Sequence, residues 1–120
     1  MSTMKVNGKT IFKDLGKVVN GTLLTNNVAI GTTKMYSLTL SKGVWLCVFM
    51  YRTDNYGGIT FVGFNNTPVG NDVNRASTAI EVRTITSDNT VVYGTTYLPS
   101  GATAYTWSSG GRLCYAVKIA

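Results

Sequence analysis

The sequence predicts an all-β protein: an antiparallel jelly-roll β-sandwich of about eight short strands, with a short N-terminal arm or ribbon. Three observations carry this prediction. The 120 residues are enough for one domain with its own core. Tyr, Thr and Val, which favour strands, are frequent, whereas there are only 2 Pro. Short apolar runs alternate with turn signals at the spacing expected of a sandwich or jelly roll.

The chain is expected to divide into an N-terminal attachment arm or hairpin over residues 1–34 and a β-sandwich head domain over residues 35–120. Within the arm, Asn7-Gly8 separates two short runs and accepts the positive φ of a two-residue hairpin turn. An alternative for residues 10–19 is a helical turn, although Gly16 disfavours it.

The central stretch, residues 37–52, is the most informative part of the chain. Residues 37–40 alternate polar and apolar side chains, which is typical of a strand with one wet face. Residues 44–52 are apolar at almost every position. One face would carry Trp45, Cys47, Phe49 and Tyr51, and the other Val44, Leu46, Val48 and Met50. A strand that is apolar on both faces must be covered on both. Since a small sandwich has one core, we expect a second copy of the chain to cover the other face.

The remaining runs complete the sandwich. Residues 22–30 are predicted to form a strand interrupted at Asn26-Asn27, and the longest loop is expected at residues 65–77. Further strands are predicted at residues 59–64, 78–85, 90–98, 103–107 and 112–119. In residues 78–85, Ile80 and Val82 alternate with Glu81 and Arg83.

Strand direction predicts where the turns lie, because consecutive antiparallel strands alternate in direction. Counting back from the last strand, three turns are expected at one end of the sandwich: residues 53–57, 87–89 and 108–111. The other end would hold the C-terminus with residues 41–43, 66–77 and 99–101.

The net charge of +6 is concentrated before Gly43, where six lysines are opposed only by Asp14. The simplest interpretation is a solubilising basic end. Binding to nucleic acid or another anionic surface, or docking onto an acidic partner, are the alternatives. No apolar run is long enough to span a membrane as a helix.

The two cysteines, Cys47 and Cys114, fall inside apolar runs. We expect buried free thiols that behave as small hydrophobic side chains. A disulfide between the two strands is the alternative, and it would require an oxidising compartment.

The sequence gives little support for enzyme activity. The chain has no histidine, which removes Ser-His-Asp and Cys-His catalysis and the usual zinc ligands. Two of the five acidic residues, Asp54 and Asp88, would have to converge to cleave a glycosidic bond, and both are more simply turn residues. We therefore expect no enzyme activity, no cofactor and no metal, although residues 71–74 are a weak candidate for calcium.

Two segments resemble a known family. The run YSLTLSKGVWL at residues 36–46 looks like the opening of C-terminal head domains of bacteriophage tail fibres and receptor-binding proteins. The run SGGRLCYAVKIA at residues 109–120 looks like their closing strand. The resemblance covers residues 35–120 and implies a homotrimeric jelly roll, similar to C1q and tumour necrosis factor heads. It implies a place at the tail-fibre tip of the virion, beside other tail proteins, and binding to a saccharide or protein on the host cell surface.

We therefore expect a non-enzymatic receptor-binding head that needs neither nucleic acid nor membrane. Receptor contacts are predicted at loop residues Asn55, Tyr56, Asp88, Asn89, Trp107 and Ser108. Trimer contacts are predicted at Val44, Leu46, Val48, Met50, Tyr115 and Val117. The alternatives are a structural virion component, such as a capsid decoration or tail protein, and a single-stranded nucleic-acid binder with an OB-like barrel.

Overall fold

The computed structural model describes the backbone of residues 2–6, 9–52, 61–70, 76–106 and 112–120. This part of the chain is all-β. Its strands are β1 (Ser2–Val6), β2 (Lys9–Leu15), β3 (Val18–Asn20), β4 (Thr22–Leu23), β5 (Asn27–Val28), β6 (Gly31–Leu40), β7 (Gly43–Arg52), β8 (Phe61–Phe64), β9 (Thr67–Gly70), β10 (Ala76–Ile85), β11 (Thr90–Leu98), β12 (Tyr105–Thr106) and β13 (Arg112–Lys118).

Two antiparallel sheets form a β-sandwich, which confirms the predicted all-β sandwich. Sheet I has four strands in the order β10-β7-β13-β3, and sheet II has five in the order β4-β6-β11-β8-β9. Two smaller pairs, β1 with β2 and β12 with β5, form two-stranded sheets of their own.

The strand pairs of the sandwich are nested along the chain. β3 pairs with β13, β6 with β11, β7 with β10, and β8 with β9, all antiparallel. The two halves of the chain therefore fold back on each other like one long hairpin, whose successive pairs alternate between the two sheets.

The core lies between the sheets and is centred on an aromatic cluster. Phe49 of sheet I is fully buried, with its ring centroid 5.6 Å from that of Tyr36 and 6.4 Å from that of Phe64. Gly94 makes room for this cluster, because a Cβ there would lie 3.1 Å from Cys114 Sγ and 3.2 Å from Phe49 Cδ2. Trp45 and Cys47 share the inner face with Phe49, as the pattern of residues 44–52 predicted.

The turn before β7 lies at the same end of the sandwich as the C-terminus and the turn after β10. The backbone N–H of Lys42 donates to Asp88 Oδ1 at 2.8 Å, and Val44 N–H donates to the carbonyl of Ala120 at 2.9 Å. The N-terminal hairpin joins here too, since Gly16 N–H donates to the carbonyl of Lys118 at 2.8 Å. We call this the proximal end and the opposite one the distal end.

The predicted grouping of the turns was therefore wrong for residues 87–89, which are proximal. The cause is β9, a strand inside the predicted loop at residues 65–77. Asn65 and Asn66 have φ values of 51° and 68°, which suit a two-residue hairpin turn, so the chain reverses once more than expected.

Residues 99–101 also lie at the other end from the one predicted. Leu98, at the end of β11, pairs with Gly31, and Arg112, at the start of β13, pairs with Tyr51. Both positions are distal. The predicted strand at residues 103–107 contains only the two-residue β12, which does not carry the chain back to the proximal end.

The N-terminal region contains a hairpin followed by strands of the sandwich. Val6 pairs with Lys9, so β1 and β2 form the expected hairpin, and the helical alternative for residues 10–19 is wrong. Asn7 and Gly8 themselves lie outside the described residues. β3 and β4 pair with β13 and β6, so residues 18–23 contribute to the sandwich. The division into domains at residue 34 stays a prediction.

We expect Gly43→Ala to destabilise the fold by about 3 kcal/mol. Gly43 has a φ of +148°, and a Cβ there would lie 2.5 Å from Lys118 Cε and 2.8 Å from the backbone oxygen of Ala120. The matched control is Gly101→Ala, where φ is +90° but nothing lies within 4 Å of the added Cβ. That change should cost about 1 kcal/mol, from backbone strain alone. Urea unfolding at one protein concentration measures both, and equal losses would contradict the predicted clash.

Candidate interaction surfaces

The six predicted trimer contacts all lie on the outer face of sheet I. Val48 pairs with Ile80 on one side and Tyr115 on the other, and Leu46 pairs with Val82 and Val117. Since cross-strand partners point to the same side of a sheet, these side chains share one face. The apolar outer face consists of Val18, Val44, Leu46, Val48, Met50, Ile80, Val82, Leu113, Tyr115 and Val117.

The apolar outer face is most exposed at its two sides. Ile80 and Val82 on the edge strand β10 are 60% and 62% exposed, and Val18 and Leu113 at the other side are 53% and 45% exposed. Val48 in the central strand is only 4% exposed, because neighbouring side chains of the same sheet flank it. Of the six predicted contacts, Val48 is therefore poorly accessible, and the predicted set leaves out Ile80 and Val82, the most exposed large apolar side chains of this face.

The orientation of β10 follows from its inner positions. Ala79 is opposite Phe49 and is 1% exposed, and Ser77 is 2% exposed. These small side chains leave space for the aromatic cluster of the core. Because side chains alternate along a strand, Ile80 and Val82 then point away from the core.

The inner positions further along β10 carry charge. Arg83 Nε donates to Glu81 Oε1 at 2.5 Å, and both side chains are partly exposed at the open side of the sandwich. Inward-pointing charges on an edge strand disfavour the addition of another strand at that edge. The charges on β10 therefore disfavour extension of sheet I by another strand at this edge.

The outer face of sheet II has a different chemistry. Lys34 Nζ lies 4.3 Å from the centroid of the Tyr93 ring, a cation–π contact. Phe61 and Tyr97 pair with ring centroids 6.4 Å apart, and Thr39 is exposed on the same face. Hydroxyls, a cation and aromatic rings mix here, whereas the outer face of sheet I is mainly aliphatic.

Two of the six predicted receptor contacts lie among the described residues. Asp88 and Asn89 are proximal, where the Asp88 carboxylate accepts the hydrogen bond from Lys42 N–H and Asn89 holds a φ of 60°. Both residues thus have a structural explanation as turn residues. They lie at the end opposite to Arg52, where β7 ends, and Arg112, where β13 begins.

The other four predicted receptor contacts, Asn55, Tyr56, Trp107 and Ser108, lie outside the described residues. The strand ends that flank them are distal: β7 ends at Arg52, opposite Ala76, and β13 begins at Arg112, opposite Tyr51. Their role as receptor contacts stays a prediction.

Both cysteines are free and buried in the core, as predicted, and no disulfide joins them. Burial raises the pKa of Cys114 to about 12, and the neighbouring Cys47 adds to the shift. Burial also raises the pKa of Cys47 to about 11, with Glu81 adding and Arg83 opposing. A thiol with so high a pKa is almost entirely protonated at neutral pH and is a poor nucleophile.

The described residues contain no group of three or more His, Cys, Asp or Glu side chains that could hold a metal ion. Among them there is also no helix long and apolar enough to cross a membrane.

The fold and the surface define the class of protein as an all-β sandwich with one aliphatic outer face. Comparison with known proteins adds nothing to that class: no family model, curated protein or solved structure matches the chain.

We expect both thiols to resist Ellman's reagent at pH 8 while the protein is folded. With a pKa of about 11 for Cys47, roughly one thiol in a thousand is ionised at that pH. Labelling should be at least about a hundredfold slower than in guanidinium-unfolded protein, where both thiols react. Rapid labelling of either cysteine in the native protein would contradict the buried placement.

Proposed function

We propose that the chain is a non-enzymatic, homotrimeric receptor-binding head at the tip of a phage tail fibre. In this role it binds a saccharide or protein of the host cell surface and is held in the virion by other tail proteins. The observation that carries the proposal is the apolar outer face of sheet I, which a single copy leaves exposed.

The size of this face supports self-association. Its side chains expose apolar area on the order of several hundred Å², which matches the largest apolar patches of typical monomeric proteins, and such patches often mark interaction sites. A standard interface buries about 800 Å² from each partner, so the face is close to what a stable oligomer requires. A second copy is the partner always present at sufficient concentration.

The strand order supports the predicted jelly roll. A jelly roll is one long antiparallel hairpin rolled into two sheets, so its first strand pairs with its last and the pairs are nested. The pairs β3–β13, β6–β11, β7–β10 and β8–β9 follow this pattern. The number of three copies comes from the resemblance of residues 36–46 and 109–120 to fibre heads.

The two ends of the molecule support a head mounted on a stalk. The N-terminal hairpin joins at the proximal end through the Gly16–Lys118 hydrogen bond. The strand ends next to residues 53–60 and 107–111 are at the distal end. Attachment and receptor binding would therefore occupy opposite ends, and Asp88 and Asn89 would belong to the attachment end.

A structural virion component without a receptor is the second candidate, because the same apolar outer face would also serve a capsid or tail protein. The two functions differ in whether the protein binds a receptor on the host cell. A measurement of binding to whole host cells therefore separates them.

We expect the double variant Ile80→Lys, Val82→Lys to be monomeric, while the unmodified protein has the mass of a trimer. Both side chains are about 60% exposed, so lysine is accommodated in the monomer but opposes burial against another copy. The matched control is Thr39→Lys, which adds a charge at an exposed position on sheet II and should remain trimeric. Light scattering measures the masses, and a monomeric unmodified protein would overturn the proposal.

We expect Tyr56→Ala to reduce binding of the trimer to whole host cells at least about tenfold, because an aromatic ring at a loop tip is a typical recognition residue. Asn89→Gly is the control: glycine accepts the φ of 60°, and the position is proximal, so binding should not change. Binding is measured with labelled trimer on a panel of bacterial cells. An assembled trimer that binds none of them would favour the structural component.

A further inference from the structure

The N-terminal hairpin extends beyond the sandwich. The longest strands, β6, β7 and β10, have 10 residues each and span about 33 Å. The molecule is 59 Å long and only 22 and 20 Å across. The hairpin of β1 and β2 forms a two-stranded sheet of its own and joins the sandwich at the proximal end, so we infer that it contributes to the additional length.

A two-stranded hairpin is marginally stable in water unless a third strand or another surface supports it. The base of this hairpin is well anchored, because Lys17 N–H donates to the carbonyl of Asp14 at 3.0 Å and Lys118 N–H donates to the carbonyl of Lys17 at 2.9 Å. These hydrogen bonds fix the position of the hairpin's base, but they do not stabilise the pairing of the projecting strands. Their stability therefore requires a further contact.

The position of the base indicates which contact is available. Val18, at the start of β3, lies three residues after the end of β2 and is 53% exposed on the apolar outer face. If copies assemble through that face, the bases of their hairpins meet at the proximal end. Assembly through that face would hold the hairpins of neighbouring copies close together. Contact between the hairpins would then be effectively intramolecular, so even a weak pairing would become favourable.

We propose that the β1–β2 hairpins of the assembled copies pack against one another and form a short stalk at the proximal end. This inference rests on the proposed self-association. Charge opposes the packing, because Lys5, Lys9 and Lys13 of each hairpin are balanced only by Asp14. Salt screens such repulsion, so the stalk should become more stable as ionic strength rises. Docking onto an acidic protein partner would show the opposite dependence.

The test is hydrogen–deuterium exchange of the full chain, followed at the amides of residues 2–6 and 9–13. Three proteins are compared: the unmodified trimer, the Thr39→Lys control and the Ile80→Lys, Val82→Lys monomer. In both trimers the hairpin amides should exchange at least about tenfold more slowly than in the monomer. The difference should be larger at about 500 mM than at about 50 mM NaCl.

The outcomes are distinguishable. If the unmodified protein has a monomeric mass, the proposed self-association fails, and the stalk fails with it. If it is a trimer whose hairpin amides exchange as fast as those of the monomer, the stalk is overturned and the proposed function stands. Protection that appears only with added polyglutamate, and is lost at high salt, would overturn the stalk in favour of an acidic partner.

Discussion

The packing around Phe49 determines which side chains of sheet I point into the core and which point to solvent. Phe49 meets the rings of Tyr36 and Phe64 between the sheets, so the residue opposite it on β10 has to be small, and it is Ala79. The alternation of side chains along a strand then places Ile80 and Val82 outside. Close packing in one core thus produces the exposed aliphatic face on the other side of the same sheet.

The same constraint explains why sequence reasoning was right about β7 and incomplete about β10. β7 has apolar residues at nearly every position, so an apolar outer face could be predicted whichever face lies inside. In β10, Ile80 and Val82 alternate with Glu81 and Arg83. Such a pattern ordinarily places the aliphatic side chains in the core. Here the charged side faces inward at an open edge, because the packing around Phe49 outweighs the preference of the isolated strand.

The ends of the sandwich were harder to predict than its strands. One unrecognised reversal, the Asn65-Asn66 turn, changes the direction of every strand counted across it. That turn had a local signal, since asparagine tolerates the positive φ that both residues adopt. The neighbouring Pro68 and Gly70 favoured a loop, but β9 is an edge strand, where proline is tolerated. Asp88 and Asn89 illustrate the same limit: residue type marks them as turn formers, and only strand pairing shows at which end the turn lies.

A function in binding single-stranded nucleic acid would leave the main feature of the surface unexplained. Stacking of bases needs accessible rings beside cations, and the rings of Trp45, Phe49 and Phe64 are fully buried in the core. Sheet II does place a cation beside a ring, at Lys34 and Tyr93, but a base bound there would leave the apolar outer face of sheet I uncovered. Even if the basic hairpin bound an anionic strand, the aliphatic residues of sheet I would still be exposed to water. We propose self-assembly as the cover for that face because it needs no other molecule.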